Sequence, residues 1–298
     1  MRGNHTKAEN TIVAPACPEF RRASSRRFSF NTASNKPPAA IQRHELLTVR
    51  NTAHTSRSQL LELAVEHQTD NETVSDNNKT IAGVRVLIFD LDGTLIDSKL
   101  DLALSVNAML VNAGRAEIAH ENISALVGNG APVLVRRALG DGASDAEVDA
   151  ALAYFLSYYR AHMLDKTVLY PGVLECLQNL DGRSLAVLTN KPVRFSREIL
   201  DGLGVARYFQ YVYGGNSFEN KKPDPIGVTT LLEHFSASPR DAMVVGDSEV
   251  DVQTARNAGT WACGVTYGFG SDRLPQCSPD FLLDNLAELP NLLNGASK

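Results

Sequence analysis

The sequence predicts an α/β fold: a Rossmann-like parallel sheet core, an inserted all-helical cap domain, and a disordered N-terminal tail. Three observations carry this. Short Val/Ile/Leu-rich runs alternate with helical segments from residue 81 onward, one interval at residues 98–169 breaks the alternation, and the first 80 residues differ sharply in composition. Buried strands joined by helices make βαβ units and hence a mostly parallel sheet with helices on both faces.

The tail comes first. Residues 1–57 hold ten Lys/Arg against three Asp/Glu, residues 58–80 one against five, and residues 81–298 carry a net charge of −8. The stretch "RRASSRRFSFNTASNKPPAA" shows no sustained periodicity and too little apolar surface to offset the entropy of ordering, so residues 1–80 are expected to be disordered. Within them "SQLLELAVEH" is expected to form a helical turn or two at most. An Arg/Ser-rich, acid-poor start resembles an organelle transit peptide; an initiation site placed upstream of the true one is the preferred alternative.

Apolar runs such as "VRVLIF" and "AMVVG" fall far short of the roughly 20 residues that span a bilayer, so no membrane segment is expected. No apolar region follows the N-terminus, and no secretory signal is expected. The acidic body argues against a nucleic-acid partner, because phosphate backbones are met by clustered basic residues. Cys17, Cys176, Cys263 and Cys277 are widely spaced with no C-x-x-C pair, so neither a zinc ribbon nor a disulfide framework is indicated, and a cytoplasmic, reducing location is expected. The seven histidines never pair at ligand spacing, which removes histidine-based zinc and triad chemistry.

The first strand, Val84 to Phe89, ends in "DLDGTLIDS" and delivers Asp90 and Asp92. Acids at the carboxyl end of a parallel strand stand where open α/β sheets bind ligands. The cap, residues 98–169, has no convincing strand but carries apolar residues at helical spacing: Val148, Leu152, Phe155, Tyr159 and Met163. That stripe reads as packing between helices. "YPG" at residues 170–172 closes the insertion as a hinge, leaving residues 81–97 and 170–298 as one core domain. Further strands are expected at Leu185 to Leu188, Tyr211 to Tyr213, Met243 to Val245 and Cys263 to Tyr267, with helices at Arg194 to Leu203, Pro225 to Phe235 and Val250 to Ala258. Their ends and following loops supply Thr189 and Asn190 from "LTNKP", Lys221 and Lys222 from "NKKPDP", and Asp247 and Asp251 from "VVGDSEVD". Parallel strands place these at one edge of the sheet. Two or three carboxylates with few other ligands suit Mg²⁺, which keeps waters and substrate phosphate oxygens in its octahedron. A calcium loop starting at Asp90 fails, because Leu95 stands where glycine is needed and Asp101 where glutamate is.

The ordered set D-x-D-G-T, T-N, K-P and G-D-x-x-x-D resembles the haloacid dehalogenase superfamily over residues 84 to about 290. Within it, "VGNGAPVLVRRAL", "YPGV", "LAVLTNKP", "KKPDP" and "VTYGFG" are similar to phosphoglycolate phosphatases with a helical cap. The resemblance implies a Mg²⁺-dependent phosphomonoester hydrolase working through an aspartyl phosphate, with 2-phosphoglycolate as first substrate. Asp90 is then the nucleophile and Asp92 general acid, later base. Asp90, the backbone carbonyl of Asp92, and Asp247 hold Mg²⁺. Thr189, Asn190 and Lys222 bind the phosphoryl group, Lys222 preferred to Lys221 because Pro223 follows it. Asp251 orients Lys222 or a metal-bound water. Asn129, in "VGNG", belongs to a cap loop that reaches the substrate or to a helix-capping turn. Arg136 and Arg137 are adjacent on a helix, so at most one faces the site. His162 and Trp261 read as packing residues. Sugar-phosphate phosphatase, β-phosphoglucomutase or pyrophosphatase activity are the sibling expectations, and a non-catalytic phosphometabolite sensor is the expectation of another class. Dehalogenase chemistry has no need of an acid at Asp92. A monomer or homodimer is expected. Mass spectrometry of the native N-terminus tests the preferred account of the tail: no chain should begin at Met1, and recovery of Met1-containing peptides overturns it.

Overall fold

A computed structural model describes residues 80–294. The expectations placed on residues 1–79, including the disordered tail, the turn in "SQLLELAVEH" and Cys17, lie outside the described residues.

The centre of the molecule is β1 (Val86–Phe89), whose four side chains are fully buried. It is flanked by β4 (Ser184–Leu188) and β6 (Ala242–Gly246), and the sheet continues through β5 (Tyr211–Tyr213) on one side and β7 (Trp261–Val265) and β8 (Phe281–Leu283) on the other. The order is β5-β4-β1-β6-β7-β8, and every pairing is parallel. Alternation along each strand sends side chains to opposite faces. Leu87, Phe89, Val187 and Val245 enter one apolar cluster, while Val86, Ile88, Ala186 and Val244 enter a second. The second cluster is closed by Val228, Leu231 and Leu232 of helix Ile226–His234 and by Val252 and Ala255 of helix Glu249–Ala258. Burial on both faces explains why these strands read as continuous apolar runs.

Between β1 and β4 the chain forms α1 (Lys99–Asn112), α2 (His120–Ile123), α3 (Ala131–Leu139) and α4 (Asp145–His162). Helix α4 opens with a capping box in which Glu147 N donates to Ser144 Oγ (3.3 Å) and Ser144 N donates to Glu147 Oε2 (2.8 Å). Its expected stripe is buried at Val148, Phe155, Tyr159 and Met163 and half-buried at Leu152. α1 and α3 both pack on α4, and the resulting apolar cluster is continuous with the first face of the sheet.

Three strands escape the sequence expectation. β2 (Ile96–Asp97) pairs antiparallel with β3 (Val168–Leu169) where the chain enters and leaves the helical segment, so residues 98–169 are not strandless as expected. Two residues are too few to show an alternation of period two. β8 is a three-residue edge strand with the same lack of signal. The other elements fall within two or three residues of their expected bounds. Among the described residues no helix is long and apolar enough to cross a membrane, and Cys176, Cys263 and Cys277 are free thiols.

The exit of the helical segment is tied back to α1 by a buried acid. Asp101 Oδ2 accepts from Lys166 N (3.0 Å), Thr167 N (2.8 Å) and Thr167 Oγ1 (2.8 Å). Replacing Asp101 by Ala leaves buried donors unmatched, each worth roughly 1–3 kcal/mol. Asp101→Ala is expected to destabilise the protein by about 3 kcal/mol in urea unfolding; a change below about 0.5 kcal/mol would refute this.

Candidate active site

Register builds the site. Phe89 is level with Val187 of β4 and Val245 of β6, and Asp90 N continues the ladder to Val245 O (2.9 Å). The residues that follow each strand, Asp90, Thr189 and Asp247, therefore emerge together. Asp90 Oδ1 lies 2.8 Å from Lys222 Nζ, and Lys222 Nζ donates to Asp251 Oδ1 (2.6 Å). The second oxygen of Asp251 accepts from Ser248 N (3.1 Å) and Ser248 Oγ (2.5 Å), closing the N-terminal turn of the helix that begins at Glu249. Asp247 accepts from Thr94 Oγ1 (3.2 Å) and Gly270 N (3.0 Å). Oxygens of Asp90, Asp247 and Asp251 all lie within 4.8 Å of one another.

The surroundings force these acids against their ordinary behaviour. Burial pushes the Asp90 carboxyl up to about 6, against the pull of Lys222. Burial also pushes Asp247 up to about 8, with Asp251 and Asp90 adding repulsion. Lys222 is held charged despite its burial because Asp251 and Asp90 raise it. A dry cluster of three carboxylates facing one ammonium is short of positive charge. Asp90 Oδ1 is buried and receives no directed hydrogen bond, the Lys222 contact being close but off-axis. An all-oxygen donor set of three carboxylates within 4.8 Å of one another fits a hard divalent cation. Of the three acids, Asp251 is already engaged at both oxygens.

Asp92 is turned elsewhere. Lys191 Nζ donates to its Oδ1 (2.9 Å) and Oδ2 (3.0 Å), Ser98 Oγ donates to Oδ1 (2.5 Å), and Lys191 Nζ also donates to Tyr159 Oη (2.7 Å). The ammonium sits 4.6 Å from the Tyr159 ring centroid, and both residues are buried. Burial opposes the Lys191 charge, but Asp92 and Tyr159 together more than offset it and the ammonium is raised. Burial pushes the Tyr159 hydroxyl up to about 12, so it keeps its proton.

The sequence-expected residues thus divide. Asp90, Lys222, Asp247 and Asp251 meet in one cluster, and Asp92 joins a second. Asp90, Asp92, Thr189, Asn190, Asn129 and Asp247 all line one cavity of about 780 Å³. Asn190 is committed differently from a phosphate contact: its Nδ2 donates to Gly128 O (2.9 Å) and Lys222 O (3.1 Å), which uses both amide hydrogens. Lys221 does not approach Asp90; it donates to Asn129 O (2.6 Å). Lys221 and Asn190 therefore hold the "VGNG" loop of the helical segment against the sheet edge. Arg136 pairs with Asp145 (2.6 Å), leaving Arg137 at the cavity. His162 and Trp261 are not among the lining residues.

Lys191, Tyr159, Thr94, Ser98 and Gly270 are site residues that sequence reasoning missed. Lys191 had a signal, a cation directly between Asn190 and Pro192 after a buried strand. Tyr159 was masked by its place in an apolar stripe.

The chain belongs to the haloacid dehalogenase-like hydrolase family, whose model matches residues 87–265. It is 42% identical over 214 residues to the phosphoglycolate phosphatase of Pseudomonas putida, covering 69% of this chain and 78% of that one. Over 215 residues it is 37% identical to the phosphoglycolate phosphatase of Vibrio parahaemolyticus, covering 69% of this chain and 94% of that one. The crystal structure of a predicted phosphoglycolate phosphatase from Haemophilus somnus superimposes with a TM-score of 0.67 at 33% identity, covering 70% of this chain and 96% of that one.

Two glycines let the backbone close around Asp247. A Cβ on Gly268 would stand 2.1 Å from Asp247 Cβ and 2.4 Å from Gly93 O, and one on Gly93, at φ +87°, would meet Asp247 Oδ2 at 2.4 Å. Gly268→Ala must push Asp247 aside, and displacements near 1 Å at a reacting centre cost about 100-fold. A fall in kcat/KM of that size, with a higher metal concentration for half-activation, is expected; wild-type values for both would show that the Asp247 position is not critical.

Proposed function

We propose that this chain is a Mg²⁺-dependent phosphoglycolate phosphatase that hydrolyses 2-phosphoglycolate to glycolate and phosphate. The observation that supports the mechanism is the convergence of Asp90, Asp247 and Asp251 oxygens within 4.8 Å of one another, with Lys222 2.8 Å from Asp90 and with Asp90 and Asp247 lining the cavity. The relatives named phosphoglycolate phosphatases support the substrate.

In this account residues 98–169 are a cap over the core formed by 81–97 and 170–298. Asp90 attacks phosphorus, the bond to the ester oxygen breaks, and Asp92 gives that oxygen a proton. Asp92 then takes a proton from the water that attacks the aspartyl phosphate, and Asp90 is regenerated. Thr189 and Lys222 hold the phosphoryl oxygens. Asn190 places the cap loop instead of touching the phosphate, because its donors are taken. Asp90, the Asp92 carbonyl and Asp247 would hold Mg²⁺, which when bound offsets the repulsion between the acids and an anionic ester. Asp251 keeps Lys222 aimed at Asp90.

The test is kcat/KM for 2-phosphoglycolate, β-glucose 1-phosphate, other sugar phosphates and pyrophosphate, each with Mg²⁺ and with EDTA. A metal-dependent preference for 2-phosphoglycolate of about 100-fold, near 2.7 kcal/mol, is expected. A flat or sugar-favouring profile discards the substrate, and no turnover of any ester discards the enzyme. Asp90→Asn is expected to lower kcat by about 10⁴-fold or more with unfolding behaviour unchanged. Substantial residual activity at matched metal and substrate removes Asp90 as nucleophile.

A further inference from the structure

Phosphate hydrolysis at Asp90 calls for one ammonium, and Lys222 supplies it. The site contains a second buried ammonium, Lys191, that the phosphoryl chemistry does not use. It is 7% exposed, lines the same cavity and stands beside Asp92, the group that serves the ester oxygen. The other cations lining the cavity, Arg137 and Arg273, are exposed. Burying a charged lysine is costly, and a neutral donor would suffice merely to orient a carboxylate.

We propose that Lys191, with the Tyr159 hydroxyl, is the anchor for the carboxylate of the substrate. This rests on the phosphoglycolate reading above and names the residues that set it. In 2-phosphoglycolate the carboxyl carbon is bonded to the carbon that carries the ester oxygen, so its oxygens lie roughly 3 Å from that oxygen. A cation in hydrogen-bond contact with the acid that protonates the ester oxygen is therefore at the correct reach for this carboxylate. Lys191 now spends two of its three N–H groups on the two oxygens of Asp92 and the third on Tyr159. One of the two can pass to the substrate while Asp92 remains held by the other and by Ser98 Oγ. Tyr159 Oη accepts from Lys191 and keeps its own proton, which is available to the second carboxylate oxygen. Tyr159 lies on α4 and Lys191 follows β4, so the anchor is assembled from both the helical segment and the sheet. A phosphomonoester without the carboxylate leaves this pair unmatched.

The experiment measures kcat and KM for 2-phosphoglycolate and for ethyl phosphate, which keeps the O–CH₂ unit and lacks the carboxylate. Wild type, Lys191→Met, Lys191→Arg and Tyr159→Phe are compared. In the wild type 2-phosphoglycolate is expected to be favoured by about 100-fold, the range of one charged buried hydrogen-bonded contact. Lys191→Met should collapse that ratio to within about 3-fold of unity with a raised KM for 2-phosphoglycolate. Lys191→Arg should restore part of it. Tyr159→Phe, which keeps the ring packing, should lower the ratio by about 5-fold or more and provides the answer if Lys191→Met fails to fold. If the variants slow both esters by the same factor, Lys191 acts only through Asp92 and the anchor is overturned while the phosphatase assignment stands. A wild type that cleaves both esters equally removes the substrate reading itself, and the anchor with it.

Discussion

The meeting of acids in the site follows from one constraint: β1 lies between two parallel strands in a register that brings the ends of all three to nearly the same level. Carboxylates at those ends are forced into a space where burial and mutual repulsion both oppose their ionisation. The structure answers with charge. Lys222 is wedged between Asp90 and Asp251, Lys191 caps Asp92, and backbone or hydroxyl donors reach Asp247. The compensation is incomplete at Asp90 and Asp247, whose carboxyls both stay raised by burial.

The two clusters divide the work by their partners. Around Asp90 the cation is held between two acids, Asp90 and Asp251. Around Asp92 the cation is shared with a phenol on α4, so this carboxylate is linked through Lys191 to the helical segment. Ser98, at the start of that segment, adds a further tether to the same carboxylate. Two acids separated by one residue would share a face of an extended strand, but β1 ends at Phe89 and the chain bends at Leu91, so the two carboxylates reach different partners.

Much of this was legible because parallel strands buried on both faces announce themselves as apolar runs, and acids following such runs have few places to go. Asp90, Asp247 and Asp251 were found in that way, whereas Lys222, in a loop, was preferred to Lys221 through the resemblance, whose motif sets Lys directly before Pro. β2, β3 and β8 were not legible, since two or three residues carry no period. Tyr159 was hidden for a different reason. Its ring belongs to the packed face of α4, stacked on Phe155 at 5.7 Å, and only its terminal oxygen belongs to the chemistry. An amphipathic side chain at a core position satisfies the helical pattern completely and leaves no residue of signal for its second role. Asn190 was found as a site residue, but its use of both amide hydrogens on carbonyls 62 and 32 residues away depends on tertiary contacts invisible in one dimension.

The latch between the helical segment and the sheet edge is made almost entirely to main-chain oxygens, those of Gly128 and Asn129. A carbonyl group is the same whatever residue bears it. At position 129 docking is thereby uncoupled from the side chain, which is free to change without loosening the loop, whereas Gly130, at φ +84° and with Asn190 O 3.0 Å from a Cβ built there, is not.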